Sequence, residues 1–416
     1  MPESTKLQAQ TTAEDSALIE VGINNSILRK RQHHAVTDFA YQEKKAEYAQ
    51  ATVNSGQEFS FEFDKEGTSL DQISLHFTGP ALTGLIGGAP TYQRYGDFAA
   101  LQNLSNSDPI RFTYGSTKIC EVHPDEIFSR YNFLSNEQKR YYEGLMAGEL
   151  TAAQRNTLAL APQEFVVPIP TPWDGEGNQL PICALANKLK ITFRFAPAAQ
   201  AIQTDGVKPN IIAYTNVYLR YRLIHVTGSE RQQIAAPTFT DEGVFTLFSD
   251  VTRKEDQVNA NQLNTVNALG VGFDLTDFTG PVRHICGLIR ESAALDISQP
   301  APAFYEINPL YLKNLFFQVR ANDKTLFEPT RPDFEQTEQI KNFFDCSPDI
   351  QQFYAWWDVE PMSLFCASGH ISLANFTNPR MYLRQTANHP ALTITQLAFR
   401  WNWTNQMNGT YTSIWK

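Results

Sequence analysis

At 416 residues, with 42% hydrophobic and 19% charged side chains, the chain is too long for one simple core and fits two domains of about 150–200 residues. Its 28 Phe, 16 Tyr, 23 Pro and 22 Gly favour strands and turns over helix bundles. A formal net charge of −10 argues against a broad phosphate-binding surface, which needs clustered Lys and Arg, and leaves room only for a local basic patch.

Residues 1–16 are polar and acidic, which fits a disordered tail and not a signal peptide. Residues 17–50 read as an arm with a helical pattern in EKKAEYAQ. The arm carries the one basic patch, Arg29, Lys30 and Arg31, followed by His33 and His34. A solvated charged arm is the plain reading; contact with a membrane or nucleic acid is the sharper one.

Strands begin with Glu58–Phe63, where Phe59, Phe61 and Phe63 share one face, and Gln72–Phe77 repeats the pattern through Ile73, Leu75 and Phe77. Period two with one apolar face predicts a sheet covering a core on one side. Gly79–Gly96 reads as a long Gly/Pro-rich loop. Ser135–Ala147 is a predicted helix with Ser135 as N-cap and Gln138 at the capping-box position, and Thr151–Leu160 is a second. Strands return at Glu164–Ile169, Leu189–Phe195 and Asn216–Val226.

The polar stretch Thr227–Thr240 is the predicted inter-domain boundary. Beyond it Val244–Ser249, Arg283–Arg290 and Tyr311–Ala321 alternate, Pro332–Phe344 and Asp349–Trp357 carry helical patterns, and Leu392–Asn402 closes as a strand. Val167–Phe195 and Ser368–Leu383 echo one another: each has a short apolar strand, a polar turn, then an alternating strand. The organisation predicted is an arm (1–50) and two tandem β-sandwiches (51–230 and 231–416) of about eight strands each.

Motifs that carry chemistry are scarce. The five cysteines are never closer than twenty residues, which matches no zinc motif or disulfide framework and fits a reducing compartment. His76, His123, His225, His284, His370 and His389 are isolated, and adjacent His33 and His34 point different ways from an extended chain. Gly84–Ala89 lacks the Lys-Ser/Thr partner of a phosphate cradle. The carboxylate pairs Asp64/Glu66, Asp241/Glu242, Glu255/Asp256 and Asp358/Glu360, with Trp356, Trp357, Trp401 and Trp403, leave a carbohydrate-active sandwich open as an alternative. Trp401 and Trp403 alternate with Asn402, however, which predicts one buried sheet face. No catalytic group, metal set or cofactor motif stands out.

The two echoing segments carry a resemblance. Val167–Phe195, through Pro168, Pro170, Trp173, Leu180, Pro181, Ala184, Leu185, Lys190 and Ile191, resembles a passage in the major capsid proteins of nucleocytoplasmic large DNA viruses and their virophage relatives. Ser368, Gly369, Ile371 and Asn378 are similar to a second motif of that family, although Ser372, Leu373, Ala374 and Asn375 replace its usual Asn, Phe, Ser and Arg. Thr37-Asp38-Phe39 resembles a Thr-Asn-Phe that follows basic residues in the family.

The resemblance implies an all-β double jelly roll that acts by assembly, without catalysis or a cofactor. Three copies would form a trimer of pseudo-hexagonal outline, and trimers would tile an icosahedral shell. It implies neighbouring capsomers and minor capsid or vertex proteins as partners, with no sequence-specific nucleic acid. Gly79–Gly96 and Gly270–Gly280 would face outward. Arg29, Lys30 and Arg31 would lie on the inner face, toward an internal membrane or other capsomers. The protein would reside in the virion after synthesis in the host cytoplasm or nucleus. A membrane-scaffolding relative of the same fold is the alternative within this class.

Overall fold

The computed structural model describes residues 20–21, 31–32, 39–131, 139–140, 146–148, 150–171, 181–226, 228–235, 244–265, 269–322, 324–331, 352–357, 369–407 and 410–413. Sixteen strands build two sandwiches. The first comprises β1 (Phe39–Glu47), β2 (Glu58–Glu62), β3 (Ser69–Gly79), β4 (Ile110–Tyr114), β5 (Thr117–Val122), β6 (Gln163–Ile169), β7 (Leu189–Arg194) and β8 (Ala213–Val226). The second comprises β9 (Val244–Val258), β10 (Val271–Asp274), β11 (Pro281–Glu291), β12 (Leu315–Ala321), β13 (Lys324–Thr330), β14 (Phe353–Trp356), β15 (Arg380–Gln385) and β16 (Leu392–Met407). Five helices matter below: α1 (Ala99–Gln102), α2 (Pro124–Tyr131), α3 (Ala152–Leu158), α4 (Gly228–Ala235) and α5 (Pro309–Lys313).

In the first sandwich the sheets run β6-β3-β8-β1 and β2-β7-β4-β5; in the second they run β14-β11-β16-β9 and β10-β15-β12-β13. Adding eight to every label of the first converts it into the second. Two antiparallel sheets, each with four main strands in this interleaved order, are a jelly roll, so the chain is a double jelly roll.

Alternation explains the strands. Phe59 and Phe61 on β2 and the following Phe63 are buried, while Glu58 and Glu62 are exposed. On β3, Leu70 and Ile73 both face inward although they are three residues apart. Gln72, at φ 32°, is the extra residue of a β-bulge between the pairs Ile73↔Tyr221 and Asp71↔Arg222. The first core is aromatic: Phe59 stacks on Phe193 (centroids 5.5 Å), and Phe195 contacts Phe77 (5.0 Å) and Tyr214 (4.2 Å). The second is mixed, with Ile285, Ile289, Ile394 and Leu383 around Phe317 and Phe353.

The predicted strands are found, except that Tyr311–Ala321 begins in helix α5 and is strand only from Leu315; the helix after Thr151 is also found, and the Thr151 side chain and Gln154 form a reciprocal capping box. Other expectations are corrected. EKKAEYAQ is not helical: through Glu47 it is edge strand β1, paired along β8. Charges blunt such an edge against pairing with other chains, and a charged edge strand imitates a helix face in sequence. Phe353–Trp356, inside the predicted helix Asp349–Trp357, is strand β14; FYAW pairs with His284–Gly287 and is fully buried. Neither Gly79–Gly96 nor Gly270–Gly280 is a loop throughout: Gln93–Tyr95 pairs with Ile202–Thr204, and β10 pairs with β15. β11 is buried on both faces, not one. Ser135, Gln138 and Pro332–Phe344 lie outside the described residues. The polar boundary stretch holds α4.

Candidate functional site: the seam between the rolls

The second roll turns the outer face of its β14-β11-β16-β9 sheet onto the first roll. That face carries Val251, Cys286, Tyr354, Leu397 and Phe399, all buried. Phe248, Leu288, Phe304 and Tyr305 of the second roll join the apolar core of the first. What covers the sheet is α2, which leaves the first roll between β5 and β6.

Asp125, Ser129 and Arg130 of α2 are met from the other roll. Asp125, 0% exposed, accepts from Arg253 Nε at 2.8 Å and from Arg290 Nη1 at 2.9 Å. Arg253 also binds Glu255, and Arg290, 2% exposed, also binds Thr395. Ser129 Oγ donates to Cys286 Sγ (3.2 Å), Cys286 donates to Gln352 Oε1 (2.9 Å), and Gln352 Nε2 returns to Ser129 O (3.2 Å). The Arg130 guanidinium sits over the Phe399 ring at 5.5 Å and pairs with Glu126 at 2.9 Å.

The clasp is reciprocal. The connection after β11 lies on the first roll, with Pro302 O accepting from Gln102 and Gln203 (2.9 and 2.8 Å) and Arg155 pairing with Glu306 (2.6 Å). Lys208 Nζ donates to Ala199 O at 3.0 Å and to Gln299 O at 2.6 Å, tying the two connections together. Between these ties lies a cleft of about 410 Å³, whose lining includes Asn106, Gln200, Arg253, Glu255, Arg290 and Asp296. Both arginines there are already engaged by carboxylates.

Electrostatics fix the seam's protonation. Burial would push the Asp125 carboxyl up, but the Arg290 and Arg253 guanidiniums hold it at about 2. Burial raises Glu126 above the usual carboxylate range against the pull of Arg130. His284, stacked between Trp356 (4.7 Å) and Phe399 (4.2 Å), is driven well below the usual imidazole value by burial, with Arg283 and Arg130 adding to it.

A pH dependence follows. His284 is neutral when folded and titrates near 6.5 when unfolded, so its contribution is present above pH 6.5 and is lost as pH falls below it. Asp125 behaves as a depressed carboxylate: its contribution is present above 3.8 and is lost only as pH falls toward about 2. Urea midpoints should therefore fall from pH 6.5 to 5, and His284→Phe, which keeps the stacking, should flatten that fall. An unchanged slope in the variant would contradict the assignment.

The sequence-predicted motif residues occupy equivalent places in the two rolls. Pro168 is on β6 and Pro170 follows it; Pro181 and Ala184 flank and end a 3-10 turn (Ile182–Ala184), Leu185 follows, and Lys190 and Ile191 are on β7. Ile371 pairs with Val282, a 3-10 turn (Leu373–Asn375) follows, and Asn378, at φ 55°, turns the chain into β15. Pro181, Ala184, Leu185 and Ile191 are core residues, whereas Gly369 and Ile371 are half-buried and Asn378 is exposed. The second segment is therefore a surface turn more than core. Trp173, Leu180, Ser368, Arg29 and Lys30 lie outside the described residues; Arg31 is in a two-residue strand paired with Glu20–Val21.

Trp401 and Trp356 are buried, so neither offers a ring face to a sugar. His389 is structural, its Nε2 accepting from Leu263 N at 3.0 Å. Among the described residues no group of three His, Cys, Asp or Glu is placed to hold a metal, and no helix is long and apolar enough to cross a membrane.

No protein-family model and no curated protein matches this sequence. Solved structures do match its fold. PBCV-1 VP54, fitted into a reconstruction of the virophage Sputnik, superposes with a TM-score of 0.70 at 14% identity, covering 93% of this chain and 99% of that one. The Faustovirus major capsid protein gives 0.67 at 10% identity, covering 91% and 92%. The Sputnik virophage structure gives 0.53 at 11% identity, covering 95% and 93%. The fold is thus the double jelly roll of virus and virophage capsid structures, at identities where only the fold is shared.

Proposed function

We propose that the chain is a viral major capsid protein, located in the virion, that assembles as trimers of pseudo-hexagonal outline tiling an icosahedral shell. The observation that carries this reading is the repetition itself: two rolls of identical strand order joined by a buried two-way clasp. Two fixed, near-equivalent lobes per chain let three copies present six similar edges to a lattice. The superposition on capsid structures over both rolls supports it. Function by assembly calls for no catalytic constellation, and we infer that the protein is not an enzyme.

In this reading the rolls are 51–230 and 231–416, with β1 added to the first and the arm shortened to match. The residues before β1, with Arg29, Lys30 and Arg31, lie beneath the shell toward an internal membrane or other capsomers. Minor capsid or vertex proteins are further partners. The test is the mass of purified protein in solution: about 141 kDa, three times the 47.0 kDa chain, persisting on dilution. A stable 47.0 kDa monomer would contradict the proposal.

A further inference from the structure

Two arginines of the first roll come together with one carboxylate. Arg94 lies on the short strand Gln93–Tyr95, opposite Gln203 of its partner strand. Arg155 lies on α3, which packs against that strand. Glu306 arrives from the connection after β11 and accepts from Arg155 Nη2 at 2.6 Å.

Neither guanidinium is fully used. Arg94 Nε donates to Gln203 Oε1 at 2.8 Å, and the group lies 5.0 Å from the Tyr92 ring centroid. Those contacts fix its plane and leave its two terminal nitrogens without a carboxylate among the described residues. Arg155 is 8% exposed, and its Nε and Nη1 are buried with no hydrogen-bond partner among the described residues. Buried donors left unmatched in this way are rare, because each has given up its hydration. Asp205, beside Tyr92, is occupied by Thr91 N at 2.9 Å and Tyr92 N at 3.3 Å. Two guanidiniums therefore share one carboxylate, a local excess of positive charge in a chain of net charge −10. Arg94 feels its neighbour: burial pushes it below its ordinary value and the Arg155 charge adds to that, with Glu306 and Tyr92 opposing.

We propose that Arg94 and Arg155 form a binding site for a small tetrahedral oxyanion of the phosphate class, free or as a phosphomonoester. Planar guanidiniums offer paired N–H groups that match the oxygen spacing of such an anion. The anion accepts from the terminal nitrogens of Arg94 and supplies the second negative charge that Arg155 and Arg94 lack. Glu306, whose side chain is 44% exposed, meets Arg155 from the solvent side and is the anion's competitor. The site is complete within one chain and does not rest on the trimer.

Isothermal titration of inorganic phosphate, and separately of glycerol 3-phosphate, into the full-length chain in chloride buffer of matched ionic strength tests the site. Far-UV circular dichroism verifies that each variant is folded. Wild type should bind saturably with a Kd on the order of 1 mM. Arg94→Gln should weaken binding at least about tenfold, since a charge-assisted bidentate contact is lost. Glu306→Gln keeps an acceptor for Arg155 but removes the repelling charge, so it should tighten binding about threefold. An ester that binds at least as tightly as inorganic phosphate identifies the ligand as a phosphomonoester; weaker binding of the ester identifies the free anion. A wild type without saturable binding overturns the proposal, as does folded Arg94→Gln with wild-type affinity. Should Arg94→Gln fail to fold, Glu306→Gln decides alone: affinity no tighter than wild type overturns the site.

Discussion

Asp125→Ala should destabilise the folded chain by about 3–5 kcal/mol, read as a fall in the urea midpoint, because it strands two arginines in the seam. Asp125 is fully buried and is the shared acceptor of Arg253 and Arg290. Taking those cations out of water is costly, and Asp125 is the fully buried carboxylate that offsets it, since the second carboxylate nearby, Glu255, has a 41% exposed side chain. An asymmetry is expected. Replacing Asp125, Arg253 and Arg290 together by Leu and Met should recover much of the loss, since an apolar seam has no charge to strand. Near-wild-type stability of the single variant would mean that the rolls are not held in this way.

Trp401→Ala should cost about 3–5 kcal/mol by the same measurement, while Trp401→Phe should cost less. The indole is 2% exposed, and the Arg283 guanidinium lies 3.9 Å from its centroid. Removing it leaves a cavity and takes the stacking surface from a buried cation. Were this side chain a sugar platform, it would be exposed and its loss would leave stability untouched. A change below 1 kcal/mol would favour that reading over the buried one.

The strands were legible because a one-sided sheet writes period two into the chain: Phe59, Phe61 and Phe63 could face only one way. The echo between Val167–Phe195 and Ser368–Leu383 has a structural cause. Ile182–Ala184 and Leu373–Asn375 are the same 3-10 turn, each leading into the same strand of its roll, β7 or β15. Few side-chain identities survive because the turn needs a backbone path, not particular residues.

The seam was not legible. Asp125 is 128 residues from Arg253 and 165 from Arg290, and nothing local marks them as partners. A signal existed in Arg283–Arg290, where charges and a histidine interrupt an apolar run: a strand buried on both faces can keep such groups only if partners arrive from another element. The strand at Phe353–Trp356 was hidden for a related reason. An all-buried strand shows no alternation, so a short apolar run there cannot be told from a helix turn.

Under the proposed function, paired rolls form a six-lobed ring by threefold repetition. Electron microscopy of the purified protein tests it most directly. Class averages should show a threefold particle with six lobes, each chain contributing two. A two-lobed particle, or an open filament of paired rolls, would contradict it.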